Sequence, residues 1–226
     1  FALPVLIFSG LLGNSISFAV LTRSRSLKQL TSTVYLAFLN VVDSLFLLVL
    51  LTGWLGWLGL SLFHLSGSCQ ITIYLSYVSS FLSTWGVVSF TVERFIAIHY
   101  PLKHRALCSR ARAIRTVLAL SAAALAFYAY NLCINGVVDV PEYGKMCVTY
   151  PEYDSVARVL TGIDTVITVA LPSILIVVFN IAIVLKIRKS AQSQDAACSR
   201  TTVWLLVVSS VFVGLNLPSH SLRLHL

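Results

Sequence analysis

Polar and apolar positions alternate along this chain in long blocks, not residue by residue. Stretches at about 1–22, 33–57, 69–99, 113–134, 159–185 and 201–225 are uncharged or nearly so. Each is long enough to cross a bilayer as a helix, which takes about 20 apolar residues. Between Asp43 and Glu93 there is no Asp, Glu, Lys or Arg, and that run closes abruptly in Glu93-Arg94-Phe95. Cys69 stands at the other end of the same stretch, and a helix from Cys69 to Arg94 would cover roughly 37 Å, one bilayer with its interfaces. The pattern predicts an all-α, polytopic membrane bundle.

Composition agrees with the pattern. The chain is 58% hydrophobic and 11% charged, with a mean hydropathy of +0.88, far from the values of soluble domains. Its 16 Lys and Arg against 8 Asp and Glu do not describe a nucleic-acid binder, because the basic residues fall in short clusters between apolar spans. The first such loop holds Arg23, Arg25 and Lys28, the third Lys103, Arg105, Arg110 and Arg112, and the fifth Lys186, Arg188, Lys189 and Arg200. The second, Leu58 to Ser68, has no Lys or Arg, and the fourth sets Lys145 and Arg158 among Asp139, Glu142, Glu152 and Asp154. By the positive-inside rule the odd-numbered loops are cytoplasmic and the N-terminus is extracellular, as in a multi-pass protein of the plasma membrane. No cleavable signal pattern precedes the first span, and a truncated N-terminus is expected.

This topology places Cys69 and Cys147 outside, Cys108 and Cys198 inside, and Cys133 near the outer end of the fourth span. The two outer cysteines are either a disulfide or two free thiols. Asp43 lies in mid-span, where an ionised carboxylate costs on the order of 3 kcal/mol, so a partner or a proton must compensate it. Pro172 and Pro218 interrupt the fifth and sixth apolar runs, which membranes tolerate where neighbours re-satisfy the freed carbonyl. Arg94, taken alone, is a snorkelling arginine at the interface. His64, His99, His104, His220 and His225 show no metal-ligand spacing, and no nucleophile-base set or phosphate-cradling glycine loop is present, so nothing favours an enzyme. Arg110, Arg112 and Arg115 cluster at the inner end of the fourth span instead of repeating along it as a voltage sensor would, and read as an interface anchor or an acidic-lipid contact.

Gly13-Asn14, Asp43, Cys69, Glu93-Arg94-Phe95 with Pro101-Leu102, Cys147, Pro172 and Phe212-Val213-Gly214-Leu215-Asn216-Leu217-Pro218 together resemble the rhodopsin-like family of G-protein-coupled receptors. The likeness covers essentially the whole chain. It implies a disulfide between Cys69 and Cys147, and a charge lock at Glu93-Arg94 beside an inner loop, with Phe95, Pro101 and Leu102, that docks a heterotrimeric G protein. It implies a polar core of Asn14, Asp43 and Ser83 holding an allosteric sodium ion, against which stands a protonated Asp43 satisfied without one; no other cofactor is implied. Pro172, Phe212, Asn216 and Pro218 take the positions of helix kinks and activation residues. The seventh helix of the family would follow Leu226, so the chain reads as a receptor fragment carrying the first six.

Several positions depart from the family pattern. Asn216 replaces the toggle tryptophan and Leu215 the usual cysteine, the fourth span has no tryptophan between Thr116 and Leu132, and Asn180 takes the place of a fifth-helix tyrosine. Ser76 stands where amine receptors carry an aspartate, which argues against an amine ligand. The candidate pocket gathers Ser76 and Tyr77, Asp164 and Thr168, and Ser219, His220 and Arg223. With the acidic outer loop, Asp164 suits an arginine-bearing peptide; alternatively it pairs with Arg158 or Arg223 as structural glue. Leu215 to His220 also resembles the invertebrate neuropeptide receptors of the FMRFamide-receptor-like group. The rival class is a six-span channel or transporter subunit with Asp43 on the ion path; neither a selectivity loop nor repeat halves support it. An opsin is the rival within the receptor class.

Overall fold

The computed structural model describes residues 2–60, 65–102, 108–140 and 144–190. Among these, five helical segments are long and apolar enough to cross a membrane. With no water in the bilayer core to bond the peptide groups, each span closes its hydrogen bonds within itself, and the helix is the form that does so. The first span is α1 (Ala2–Arg23), followed by a single turn, α2 (Arg25–Lys28). The second is α3 (Ser32–Trp57) and the third α4 (Ser68–His99). The fourth begins with α5 (Arg110–Phe127), tightens into a 3-10 turn at Tyr128–Tyr130 and ends in α6 (Asn131–Ile134). The fifth opens on a 3-10 turn at Pro151–Tyr153, continues as α7 (Asp154–Thr165), widens into a π turn at Val166–Ala170 and resumes as α8 (Leu171–Ser190). The sixth stretch, 201–225, lies outside the described residues.

The fifth span, expected over 159–185, begins earlier. Pro151, whose fixed φ suits a helix start, opens the turn, and an Asp154–Arg158 ion pair at 2.9 Å one helical turn apart supports the polar entry. Polarity alone marks the span's edge, and the helix begins inside the polar stretch. The bundle is helical as expected, and between the fourth and fifth spans the chain adds a β-hairpin that the pattern does not predict, β1 (Asn135–Val140) with β2 (Gly144–Thr149), antiparallel with Val137 opposite Cys147. Gly144 opens β2 at φ +72°, a left-handed conformation that favours glycine. Gly136 has the Tyr150 ring against it, which leaves no space for a Cβ there.

The third span is the axis of the bundle. It packs against the second, fourth and fifth spans and against the hairpin, and its buried residues run from Cys69 to Glu93. Val42, Val78, Leu82, Ala124 and Tyr128 form one buried cluster, and Tyr35, Phe90 and Ala113 a second toward the inner end. Gly86 lets the second and third spans approach closely: a Cβ there would lie 2.8 Å from Leu39 Cδ2. By contrast α1 shows Val5, Leu6, Phe8, Leu12, Ile16 and Val20 on its surface, an apolar face suited to lipid.

Candidate functional site

Three polar groupings lie at successive depths of the bundle, one toward each end of the membrane and one between. In the middle, Ser83 Oγ donates to Asp43 Oδ1 at 2.7 Å. Asn14, Ser79, Ser80 and Thr84 line the same cavity, of about 310 Å³, along with Phe46 and Leu47. Asn14, Asp43 and Ser83, proposed from sequence as a polar core, thus share one space supplied by three spans. Ser79 also donates to the carbonyl of Leu75 on its own helix at 2.6 Å, and Asn40 Nδ2 joins the first span by donating to Ser17 Oγ at 2.9 Å.

At the inner end Glu93 is buried, 5% exposed. Its Oε1 accepts a hydrogen bond from Ser32 Oγ at 3.1 Å. Ser32 is the first residue of α3, so the carboxylate sits at the positive end of a helix, where an anion is favoured. The Arg94 guanidinium lies 5.2 Å from the centre of the Phe90 ring, within range of a cation–π contact. Phe95 stacks on His99 at 4.2 Å and packs on Phe179 of α8 at 5.1 Å, linking the third span to the fifth. Pro101 and Leu102 follow at the surface, with Leu102 95% exposed. Beside them Thr31 Oγ1 donates to the carbonyl of Cys108 at 3.2 Å, joining the first inner loop to the entry of α5. Burial raises the pKa of the Cys108 thiol, and Glu93 raises it further.

In the outer half Asp164 is 4% exposed. Tyr128 donates to its carboxylate, and so does Thr168 Oγ1 at 2.8 Å, while the Tyr128 and Thr168 hydroxyls lie 3.2 Å apart. Of the two side chains proposed as its partner, Arg158 pairs with Asp154, and Arg223 lies outside the described residues. Tyr77 packs its ring 5.6 Å from that of Tyr128, and Ser76 turns its hydroxyl onto the carbonyl of Ile73 in its own helix, at 2.7 Å. Above them Cys69, fully buried, is bonded to Cys147, with Cα atoms 5.7 Å apart. Pro172 is fully buried, one residue into α8. The π turn before it leaves room for the proline ring, and Trp85 Nε1 donates to the carbonyl of Ile167 inside that turn at 3.2 Å. Phe212, Asn216, Pro218, Ser219, His220 and Arg223 lie outside the described residues.

Sequence reasoning missed Ser32, Tyr128 and Trp85. Ser32 sits in Thr31-Ser32-Thr33 at a helix start, a signal that was available. Tyr128 and Trp85 carry no local signal, since their partners lie 36 and 82 residues along the chain.

A disulfide-capped, lipid-faced bundle with buried polar groups at three depths describes a multi-pass membrane protein of the receptor type. Residues 13–226 match the family described as 7 transmembrane receptor (rhodopsin family). The chain belongs to that family. Similar proteins include the human (Homo sapiens) neurotensin receptor type 1, 26% identical across 84% of this chain and 48% of its own length. The galanin receptor 2b of Danio rerio is 25% identical across 62% of this chain and 37% of its own length. The thyrotropin-releasing hormone receptor of Gallus gallus is 32% identical across 48% and 28%. The chain thus spans at most about half the length of these relatives. Family membership sets aside the six-span channel or transporter subunit.

Proposed function

We propose that this chain is part of a plasma-membrane receptor that passes an extracellular peptide signal to a heterotrimeric G protein. The observation that carries the reading is the inner end of the third span. Glu93 is buried and tied to Ser32 of the second span, with Arg94 next to it and the Phe95–Phe179 contact bridging to the fifth. Such an arrangement has an alternative, in which the fifth span moves and Arg94 is presented to a partner, and a ligand shifts the balance by binding the two states unequally. Substituting Arg94→Ala in the full-length protein should abolish ligand-stimulated nucleotide exchange on the G protein while surface expression is kept. Undiminished exchange would overturn the assignment.

The peptide class is supported by the outer hairpin, bonded to the third span, and by relatives named for neurotensin, galanin and thyrotropin-releasing hormone. The FMRFamide-like grouping rests on residues 215–220, outside those described. Ser76, Tyr77 and the outer acidic residues remain the proposed ligand contacts. Asp164 is better read as a clasp between the fourth and fifth spans, because Tyr128 and Thr168 occupy its carboxylate. The distribution of basic residues among the loops supports an extracellular N-terminus.

Asp43, Ser83 and Asn14 are proposed to hold a sodium ion. One carboxylate among hydroxyl and amide oxygens in a shared cavity is a hard donor set of low charge, which suits a monovalent cation. A bound ion would supply the counter-charge that lets Asp43 stay ionised in mid-membrane.

A further inference from the structure

A buried chain of hydrogen bonds runs from the outer hairpin to the fifth span, and most of its members have no part in the receptor reading. It begins at the last residue of β2, where Thr149 Oγ1 donates to Asn135 Oδ1 at 2.8 Å. Asn135, the first residue of β1, donates in turn through Nδ2 to the carbonyl of Asn131 at 2.9 Å and to its Oδ1 at 3.3 Å. Asn131 Nδ2 donates to the carbonyl of Tyr128 at 3.2 Å, and the Tyr128 hydroxyl donates to Asp164. Asn131, Asn135, Tyr128 and Asp164 are each no more than 4% exposed. A member that moves alone leaves a buried polar group unpaired, so the chain shifts as a unit or breaks at a cost.

The backbone is irregular where this chain passes from the fourth span to the fifth. Tyr128 opens the 3-10 turn of the fourth span, and Thr168, which shares Asp164 with Tyr128, lies in the π turn of the fifth. Turns of both kinds inside a helix recur at hinges and functional sites. At the other end, Cys147 ties the hairpin to the third span two residues before Thr149, and the Tyr150 N–H donates to the carbonyl of Ile134 at 2.9 Å.

We infer that Asn131 and Asn135 are positioning residues that couple the outer hairpin to the π turn of the fifth span, through Thr149 at one end and the Tyr128–Asp164 contact at the other. A peptide that displaces the hairpin then alters the fifth-span backbone without touching it. That use by a ligand rests on the receptor reading; the coupling itself does not.

The test reads both ends of the chain in the full-length, detergent-solubilised protein with no ligand. Trp85 Nε1 bonds the Ile167 carbonyl inside the π turn, so the Trp85 indole proton resonance, assigned by its loss in Trp85→Phe, reports that turn. Cys69 is fully buried, so the rate at which a phosphine reduces Cys69–Cys147 reports opening of the hairpin. Thr149→Val should move the Trp85 resonance upfield. Tyr128→Phe should speed the reduction at least about twofold, a coupling of the size found within one hydrogen-bond network. Asn135→Ala cuts the chain between them and should do both, whereas Thr149→Ser keeps the hydroxyl and should match the wild type. An unmoved resonance in Thr149→Val, an unchanged reduction rate in Tyr128→Phe, or a serine variant that behaves as the valine one would overturn the coupling. Reducing the wild type disturbs the hairpin without any substitution and should also move the Trp85 resonance upfield; a resonance that stays in place would count equally against it. Cys108, at the inner end, should be alkylated at the wild-type rate in every variant, and faster alkylation would replace the coupling with general loosening. Undiminished nucleotide exchange in Arg94→Ala would overturn the receptor reading and leave these ligand-free measurements as they stand.

Discussion

Asp164 shows how a buried charge is made tolerable by particular neighbours. An acidic side chain at membrane depth, 4% exposed, is stable because the Tyr128 and Thr168 hydroxyls both donate to it. Tyr128→Phe removes one donor and leaves the ring packing on Tyr77 and Phe81 in place. It should cost about 1–2 kcal/mol, read as a fall of several degrees in the melting temperature of the detergent-solubilised protein. Asp164→Asn, whose amide oxygen still accepts from both hydroxyls, should cost less than Tyr128→Phe; the reverse order would sink the clasp. The sequence marked Asp164 as anomalous but not its partner, because Tyr128 beside Tyr130 reads as an ordinary interfacial tyrosine. Cysteine reactivity gives a second test. The Cys108 pKa is raised, first by burial and then by Glu93, so little thiolate exists at neutral pH, whereas Cys133 is exposed. N-ethylmaleimide should modify Cys133 well before Cys108, with the Cys108 rate climbing as pH rises; equal rates mapped by mass spectrometry at pH 7 would contradict the burial.

The fifth span shows the same economy in a whole element. Pro172 was legible in the sequence as a break, but not the form that the break takes. A proline lacks the N–H that would bond the carbonyl four residues back, and here the backbone widens into the π turn at Val166–Ala170 just before it. That turn brings Thr168 beside Asp164 and exposes the Ile167 carbonyl to the Trp85 indole. Which carbonyl is freed depends on a partner in another helix, and no pattern local to the fifth span encodes it. Trp85→Phe keeps the ring and removes the donor, and should cost about 1 kcal/mol. Because Trp85 bonds Ile167 inside the π segment and Tyr128 bonds Asp164 just before it, their losses should not add. The double variant with Tyr128→Phe is expected to show a coupling of at least about 0.5 kcal/mol, and strict additivity in a thermal-unfolding cycle would show that the two contacts are independent. The hairpin escaped notice for a related reason: its strands are six residues each, with pairing set by register, not by a long periodic run.

Across the whole molecule, the third span ties the two faces of the membrane together. Its outer end is bonded to the hairpin through Cys69 and Cys147, its middle to the second span through Ser83 and Asp43, and its inner end to Ser32 through Glu93 and to the fifth span through Phe95. The bundle was legible because lipid imposes one pattern on every span, and Ser83 could be placed by counting back from Arg94 to the serine that the family resemblance implies. Contacts between elements were legible only where a charge demanded a partner or two outer cysteines stood to pair. The disulfide closes a separation of 78 residues, which on the loop-entropy account restrains the unfolded chain by about 4.5 kcal/mol. That stabilisation resides in the outer half, while the inner contacts are made by other residues. Cys69→Ala/Cys147→Ala should therefore lower the melting temperature and surface delivery sharply, and weaken ligand binding more than it alters basal coupling in the molecules that reach the surface. Reducing the wild type with dithiothreitol should reproduce the fall in melting temperature without any substitution. If the reduced wild type melts as the oxidised protein does, the hairpin is held by its other contacts, and the cysteine variants lose stability through the cavity at the buried Cys69.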